Sequence, residues 1–378
     1  MSHQLPRYSQ IIAEIQDRIS RGEWKAGDAL PNRTLLCKEF GTTRVTLDKA
    51  IHQLVQGGAL TSAKGSGTFV AHGDAHGRIQ RSASQSLRVG VVIGNHIPVG
   101  EGSDVDDVYF GPLMRGIIEG LSDRDVQTSY AQLPASGIPA LFRDGDLDGL
   151  LVVTPRVADI EVLRSLHHQG VSFVALGMSS ADPRDSDLPF VDAANRSGGA
   201  LAAEHFLDLR HTRIACVNLA LSHSNQVDRM EGFQGALAAA GFPIEERLLL
   251  TSPCYDMTNW PARLDRWIEE LTADDALPTA IFACDHHMTI DTVEALHRHG
   301  IRIPSQISVI GFDDFLTAGL LSPPLTTVRQ PVQELGSHAA QRLLRALRHP
   351  DDRQAILFGP EILPTSLVYR ASTAPPHR

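Results

Sequence analysis

Thr42, Thr43, Arg44 and Thr46 stand together at the start of an apolar-periodic segment. Short hydroxyls and a guanidinium at a helix N-terminus suit base edges in a nucleic-acid groove, where one arginine can donate two parallel bonds to a guanine. The free N–H groups of a first helical turn can also hold a phosphate. Further on, Lys64-Gly65-Ser66-Gly67 joins a cation to glycines that let the backbone approach a phosphate closely. The same residue types are equally at home as solvated helix or turn positions. Their meaning therefore depends on the elements that carry them.

Catalytic chemistry is harder to assemble. The cysteines, Cys37, Cys216, Cys254 and Cys284, are far apart without metal-ligand spacing and read as reduced, mostly buried thiols. Asp285-His286-His287 has no third ligand at a useful spacing, so no metal is expected. Lys64-Gly65-Ser66-Gly67 is not a Walker loop, and neither a Gly-x-Ser-x-Gly elbow nor a kinase set occurs. We expect no enzyme and no cofactor.

A chain of 378 residues suits two or three domains. With 42% hydrophobic and 21% charged residues it has the composition of a soluble globular protein. It has no run of about 18 apolar residues, and MSHQLPRYSQ lacks the apolar stretch of a secretory signal, so a cytoplasmic protein is expected. The net charge of −10 hides an asymmetry: residues 1–88 hold twelve Lys/Arg against seven Asp/Glu, a net +5, and the remainder carries −15. A basic head on an acidic body is expected if only the head meets phosphate.

The elements fit that division. Ile11, Ile12, Ile15 and Ile19 give helical spacing over 8–22, and a second helix follows over 33–40. Thr42-Thr43 can cap a third over 44–56, with Val45, Leu47, Ile51, Leu54 and Val55 as its apolar face. Two short β segments, ALTSA and GTFVA, complete a winged helix-turn-helix over 1–71. Residues 72–87, rich in Gly, Ser, Ala and Arg, read as a linker. Beyond it LRVGVVIG, LDGLLVVTP, VSFVALG, RIACVNLA, TAIFAC and ISVIGFDD are buried strands. Helices over 109–122, 158–169, 196–209, 227–241, 258–272 and 288–299 separate them. That alternation predicts an α/β body of doubly wound parallel sheets in two lobes with a cleft between them.

The head resembles the GntR family of winged-helix regulators. The match is carried by Tyr8, by Gly22-Glu23-Trp24-Lys25-Ala26-Gly27-Asp28-Ala29-Leu30-Pro31, by Phe40-Gly41-Thr42-Thr43-Arg44-Val45-Thr46-Leu47 and by Gly65-Ser66-Gly67-Thr68-Phe69-Val70. The resemblance implies that Thr42, Thr43, Arg44 and Thr46 read the major groove while Lys64, Gly65 and Gly67 form the wing. Asn32-Arg33-Thr34 stand where the family commonly has Ser-Glu-Arg, and Asp48 where it often has Arg. Arg33, Thr34 and Lys49 join the expected DNA contacts on that account.

The body, over 88–373, resembles the effector domain of the LacI/GalR family, which has the periplasmic-binding-protein-like fold. The matching stretches are Val309-Ile310-Gly311-Phe312-Asp313-Asp314, Pro323-Pro324-Leu325-Thr326-Thr327-Val328-Arg329-Gln330-Pro331, Arg229-Met230-Glu231-Gly232-Phe233 and Gly300-Ile301-Arg302-Ile303-Pro304. The resemblance implies lobes of about 88–191 plus 331–360 and 192–328 plus 361–373. It implies ligand contacts at Tyr109, Phe110, Asn225, Arg229, Asp285 and Asp313. Cys284 and Thr289 replace the Asn and Ala of a motif usually written Asn-Asp-x-Met-Ala. The pairing of head and body resembles the arabinose-repressor subgroup.

Residue chemistry agrees with a sugar-like ligand, because carboxylates accept from hydroxyls, guanidinium donates to them, and aromatic faces stack on C–H faces. Structural alternatives stay open: Asp313 as a cap, Arg229 in a surface ion pair, Tyr109 or Phe110 in the core. Trp260 and Tyr255 are further candidates for the cleft wall. The expected function is a transcription regulator: a homodimer on operator DNA, with repression relieved when a sugar closes the cleft and changes head spacing through the linker. The alternatives are a cytoplasmic sugar-binding protein, an α/β enzyme whose N-terminal domain makes protein contacts, or a regulator with a purine or other non-sugar effector.

Overall fold

Ile11 and Ile15, four residues apart, share one face of α1 (Arg7–Ser20), and that face is buried. It packs with Leu36 of α2 (Arg33–Glu39), with Leu47, Ile51 and Leu54 of α3 (Arg44–Gln56), and with Leu60 and Val70 of the hairpin β1 (Leu60–Ala63) and β2 (Gly67–Val70). Asn32 caps α2 by accepting from Leu35 N–H at 3.0 Å. Gly41, at φ 55°, makes the turn into α3. Leu30 N–H donates to Thr68 O and Val70 N–H to Asp28 O, each at 2.8 Å, so residues 28–30 lie alongside β2. One expectation is corrected here: Val45 is not on the buried face of α3 but 80% exposed, because it lies on the side of the helix away from Leu47, Ile51 and Leu54.

The computed structural model describes residues 7–21, 23–25, 27–56, 60–63, 67–70, 86–94, 109–143, 147–180, 182–218, 221–251 and 259–377. They divide into two compact units, Met1–Gln85 and Ser86–Arg378. Most of the expected linker, with Lys64, Gly65, Cys254 and Tyr255, lies outside the described residues. Its last residue, Leu87, already opens a strand.

The second unit contains two six-stranded sheets. The first has the order β13-β7-β6-β5-β3-β4, built from β3 (Leu87–Ile93), β4 (Val126–Gln132), β5 (Gly149–Val153), β6 (Phe173–Leu176), β7 (Phe190–Ala193) and β13 (Pro360–Leu363), all paired in parallel. The second has the order β14-β12-β11-β10-β8-β9, from β8 (Ile214–Asn218), β9 (Leu249–Thr251), β10 (Ala280–Ala283), β11 (Ser308–Phe312), β12 (Thr326–Arg329) and the antiparallel β14 (Ser366–Val368). Parallel sheets need cover on both faces. In β5, Leu150 and Val152 join one core cluster while Leu151 and Val153 join another.

The first lobe takes α4 (Gly111–Gly120), α5 (Ile138–Arg143), α6 (Ile160–His168), α11 (Val332–Arg348) and α12 (Arg353–Ile356). The second takes α7 (Asn195–Asp208), α8 (Ser224–Ala239), α9 (Trp260–Ala273) and α10 (His286–Arg298). The chain crosses between lobes after β7, after β12 and after β13. Two crossings fall later than the expected 191 and 360, because β13 pairs with β7 along Pro360–Leu363 and keeps Asp192, Ala193 and Leu363 in the first sheet. Trp260 is buried in the core of the second lobe rather than on a cleft wall.

Candidate functional site

On the head, Arg44 opens α3 with its side chain 77% exposed, and Nε lies 3.7 Å from the Asp48 carboxylate one turn on. Thr43 precedes it, exposed, with Oγ1 3.0 Å from Thr46 Oγ1 and accepting from Thr46 N–H at a long 3.4 Å. Thr34 is exposed on α2, and Thr42 is half-buried. The Lys49 ammonium sits 4.2 Å from the Tyr8 ring centre, which ties α3 to α1. Arg33 is engaged within the fold: Nε donates to Asp48 Oδ1 at 2.9 Å and Nη2 to Thr68 Oγ1 at 3.1 Å. Gly67 opens β2.

In the body, the C-terminal strand ends of the two sheets come together, where open α/β sheets place their ligands. Val157 N–H donates to Ser222 O at 2.9 Å, and Ser179 N–H to Ser224 Oγ at 2.8 Å, each from the first lobe to the second. Arg229 of α8 is buried. Its Nε donates to Asn195 Oδ1 at 2.8 Å and its Nη1 to Cys284 O at 2.7 Å, and the guanidinium lies over the Phe312 ring. Asn195 donates in turn to Asp192 Oδ2 at 2.8 Å, so the line from Arg229 reaches the first sheet. Tight helix contact seats α8: a Cβ on Gly199 of α7 would fall 2.0 Å from Arg229 O, and one on Gly232 of α8 1.9 Å from Arg196 O.

Asp313 follows β11 in the left-handed region, at φ 87°. Its Oδ1 accepts from Gln330 Nε2, and its Oδ2 accepts from His286 N–H and lies 3.3 Å from His286 Nδ1. Arg229 Nη1 is 3.7 Å away. Burial opposes ionisation of this carboxyl, but the Arg229 charge and the His286 and Gln330 hydrogen bonds outweigh it and hold it down to about 2. Asp192 behaves oppositely. Burial pushes it up to about 8, offset only in part by the Ala193 N–H, Arg229 and Asn195. The same cluster thus favours the charged form of Asp313 and the neutral form of Asp192.

The buried polar atoms without a hydrogen-bond partner among the described residues include Tyr109 Oη and Thr154 Oγ1 of the first lobe and Gln226 Oε1 and His286 Nε2 of the second. Buried polar groups are nearly always paired, so such a set marks a place suited to a polar ligand. Tyr109 packs edge-on against Phe110, with centroids 5.4 Å apart, and burial pushes its phenol pKa up. Its hydroxyl lies over Gly177, where a Cβ would be 2.8 Å from Oη and 2.9 Å from Thr154 Cγ2. The positive φ of Gly177, 67°, and this contact both call for glycine.

The fold thus gathers Arg229, Asp313 and Tyr109. Asp285 is committed locally: Oδ1 caps α10 by accepting from Met288 N–H at 2.8 Å, and Oδ2 accepts from Gln226 Nε2 at 3.3 Å. The capping alternative weighed for Asp313 falls on Asp285 instead. Asn225 Oδ1 accepts from Gln226 N–H at 2.8 Å. Tyr109 and Phe110 both belong to the buried core of the first lobe, Tyr109 with its hydroxyl unpartnered among the described residues. Sequence reasoning missed Asp192, Asn195, Gln226, His286 and Gln330 as members of this cluster. Gln330 stands inside a motif stretch, whereas His286 is visible in sequence only as half of a metal-like pair.

Residues 7–70 match the gntR family of bacterial regulatory proteins, and residues 203–373 match the periplasmic binding protein-like domain. The chain is 26% identical over 371 residues to the arabinose metabolism transcriptional repressor of Geobacillus stearothermophilus, covering 95% of this chain and 96% of that protein. It is 28% identical over 277 residues to the HTH-type transcriptional regulator DegA of Bacillus subtilis (strain 168), covering 72% and 79%. Its fold matches the crystal structure of a LacI family transcriptional regulator from Enterococcus faecium with bound ribose, with a TM-score of 0.60 at 27% identity, over 76% of this chain and 99% of that one. The chain thus joins a domain of the gntR family of bacterial regulatory proteins to a periplasmic binding protein-like domain, and it is similar along nearly its whole length to a bacterial transcription repressor.

Proposed function

We propose that the protein is a repressor that binds operator DNA as a homodimer and releases it when a sugar-like effector occupies the cleft between the lobes. It acts in the cytoplasm, beside its DNA, and has no catalytic role. The observation that carries the effector reading is the set of unpartnered polar atoms from both lobes around the Arg229–Asp313 pair. On the head, Arg44, Thr43, Thr46 and Thr34 read bases, exposed Val45 meets a thymine methyl, and Lys49, with Lys64, Gly65 and Gly67 of the wing, meets phosphate. Arg33 holds Asp48 and Thr68 in place behind them.

The relative named for arabinose metabolism and the ribose-bound regulator direct the first probes to pentoses. Only a ligand that prefers one state shifts the DNA equilibrium. The test is a thermal-shift screen of the full chain against pentoses, hexoses, uronates, sugar phosphates and nucleobases, followed by operator binding with any hit. A ligand at 100 Kd adds ~2.7 kcal/mol. A sugar that stabilises the wild type, weakens its operator binding and loses its hold on Asp313→Ala supports the reading. A hit among nucleobases alone replaces the sugar.

A further inference from the structure

We propose that His286, through Nε2, is the group that meets the effector, with Asp313 acting behind it, and that the cleft therefore selects a neutral polyhydroxylated ligand over a sugar acid or sugar phosphate. This rests on the effector reading above. A carboxylate offers about four lone-pair sites. Three donors already occupy those of Asp313: Gln330 Nε2, His286 N–H and the His286 ring, with Arg229 Nη1 beside Oδ1. The fold leaves Asp313 little to offer a ligand. His286 Nε2 is buried without a partner among the described residues, on a side chain only 6% exposed. Phe315 and His287 hold the ring, at centroid distances of 6.2 and 3.9 Å.

Asp313 Oδ2 accepts from Nδ1–H, which fixes the tautomer and leaves Nε2 of the neutral ring as a bare acceptor. A sugar hydroxyl supplies the proton that such an acceptor needs, and a carboxylate or phosphate does not. The charges around the ring point the same way. Asp313 at the end of β11 and Asp285 at the cap of α10 bring carboxylates. The His287 imidazole packs beside the ring, and Arg229 of α8, the guanidinium that bears on it, is engaged at Nε with Asn195 and at Nη1 with Cys284 O. Burial lowers the imidazole pKa, but the Asp313 hydrogen bond and the charges of Asp313 and Asp285 outweigh burial and raise it. An O–H···Nε2 bond needs the neutral ring, so effector binding releases a proton, and affinity falls as the pH drops through that raised value.

The experiment is titration calorimetry of the full chain with neutral pentoses and hexoses, the matching uronates and the sugar phosphates, in two buffers of different ionisation enthalpy. His286→Asn keeps an amide donor for Asp313 and has no atom at the Nε2 position. We expect a neutral sugar to bind the wild type with proton release that grows as the pH falls through the raised imidazole value, and His286→Asn to bind it at least tenfold more weakly at an unchanged melting temperature. Proton release in the wild type stands as evidence even if the variant fails to fold. The proposal is overturned if the folded variant binds within about twofold of wild type, if no proton is released in the wild type, or if a uronate or sugar phosphate binds more tightly than its neutral counterpart. If nothing in the panel binds the wild type, the effector reading fails first and takes this one with it. A neutral sugar bound equally by the variant leaves the effector reading standing and sinks this one alone.

Discussion

The guanidinium carbon of Arg229 lies 3.8 Å from the centre of the Phe312 ring, and its Nη1 lies 3.7 Å from the carboxylate of the next residue, Asp313. One strand end thus presents an apolar face and an anion to the same cation. Arg229 also gives Asn195 and Cys284 O their donors. Removing it leaves a buried carboxylate without its counter-charge and two acceptors without donors. Such a loss costs about 3–5 kcal/mol. Arg229→Ala should lower the denaturant midpoint accordingly and abolish the effector response, while any folded fraction keeps operator affinity. Arg229→Lys should rescue little, because an ammonium cannot serve Asn195, Cys284 O and Asp313 together in the plane over Phe312. A lysine variant that responds to effector like the wild type would show the geometry to be dispensable.

Arg44 is held only loosely, by a carboxylate 3.7 Å away on the exposed side of α3. Replacing it by alanine should cost little stability and about 1–3 kcal/mol of operator binding, with specificity relaxed at one base pair and effector binding unchanged. Asp48→Asn should act in the opposite sense. It removes an anion from the same face, so binding to non-operator DNA should tighten, most visibly at low salt. Fluorescence anisotropy over a salt series separates the two effects. Unchanged operator binding by folded Arg44→Ala would move the reading face off α3.

The two cleft carboxyls give stability a pH signature. Asp313, held down to about 2, contributes stability that is fully present above its ordinary value near 4 and is lost as the pH falls through about 2. Asp192, pushed up to about 8, contributes stability that is fully present below its ordinary value and is lost as the pH rises through about 8. Between those limits Asp192 binds a proton when folded and none when unfolded, a slope of up to ~1.4 kcal/mol per pH unit. Asp192→Asn should remove that slope. Equal slopes for variant and wild type in urea melts across about pH 5 to 8 would place the buried proton elsewhere.

Much of this arrangement was legible in the sequence, and the rest was hidden for identifiable reasons. The buried strands of both sheets read clearly because β5 and β10 are apolar on both faces. The edge strand β4, VQTSYAQ, alternates partly buried and exposed residues and carries no such run. Val45 fits a helical apolar pattern but lies off the core side, since periodicity alone does not say which apolar residues a neighbour will cover. Arg229 and Asp313 were legible through the resemblance. Asp192 and His286 were not, because their character comes from burial and from partners distant in the chain, which no local spacing encodes.

Glycine supplies the last prediction. Gly232 and Gly235 share α8, three residues apart. A Cβ on Gly232 would lie 1.9 Å from the Arg196 carbonyl oxygen of α7, whereas a Cβ on Gly235 would meet nothing within 4 Å. Backbone cannot swing aside as a side chain can, so Gly232→Ala must push α7 and α8 apart at a cost of about 1–3 kcal/mol or more. The displacement would separate Arg229, carried by α8, from Asn195 at the start of α7, so effector affinity should fall with stability. Gly235→Ala removes the same backbone freedom without the clash and should raise stability by up to about 1 kcal/mol with the effector response intact. Melting curves with and without the sugar identified in the screen compare the pair directly. Similar melting temperatures for the two variants would mean that the helices have room to spare, and that close backbone contact is not what sets Arg229 in place.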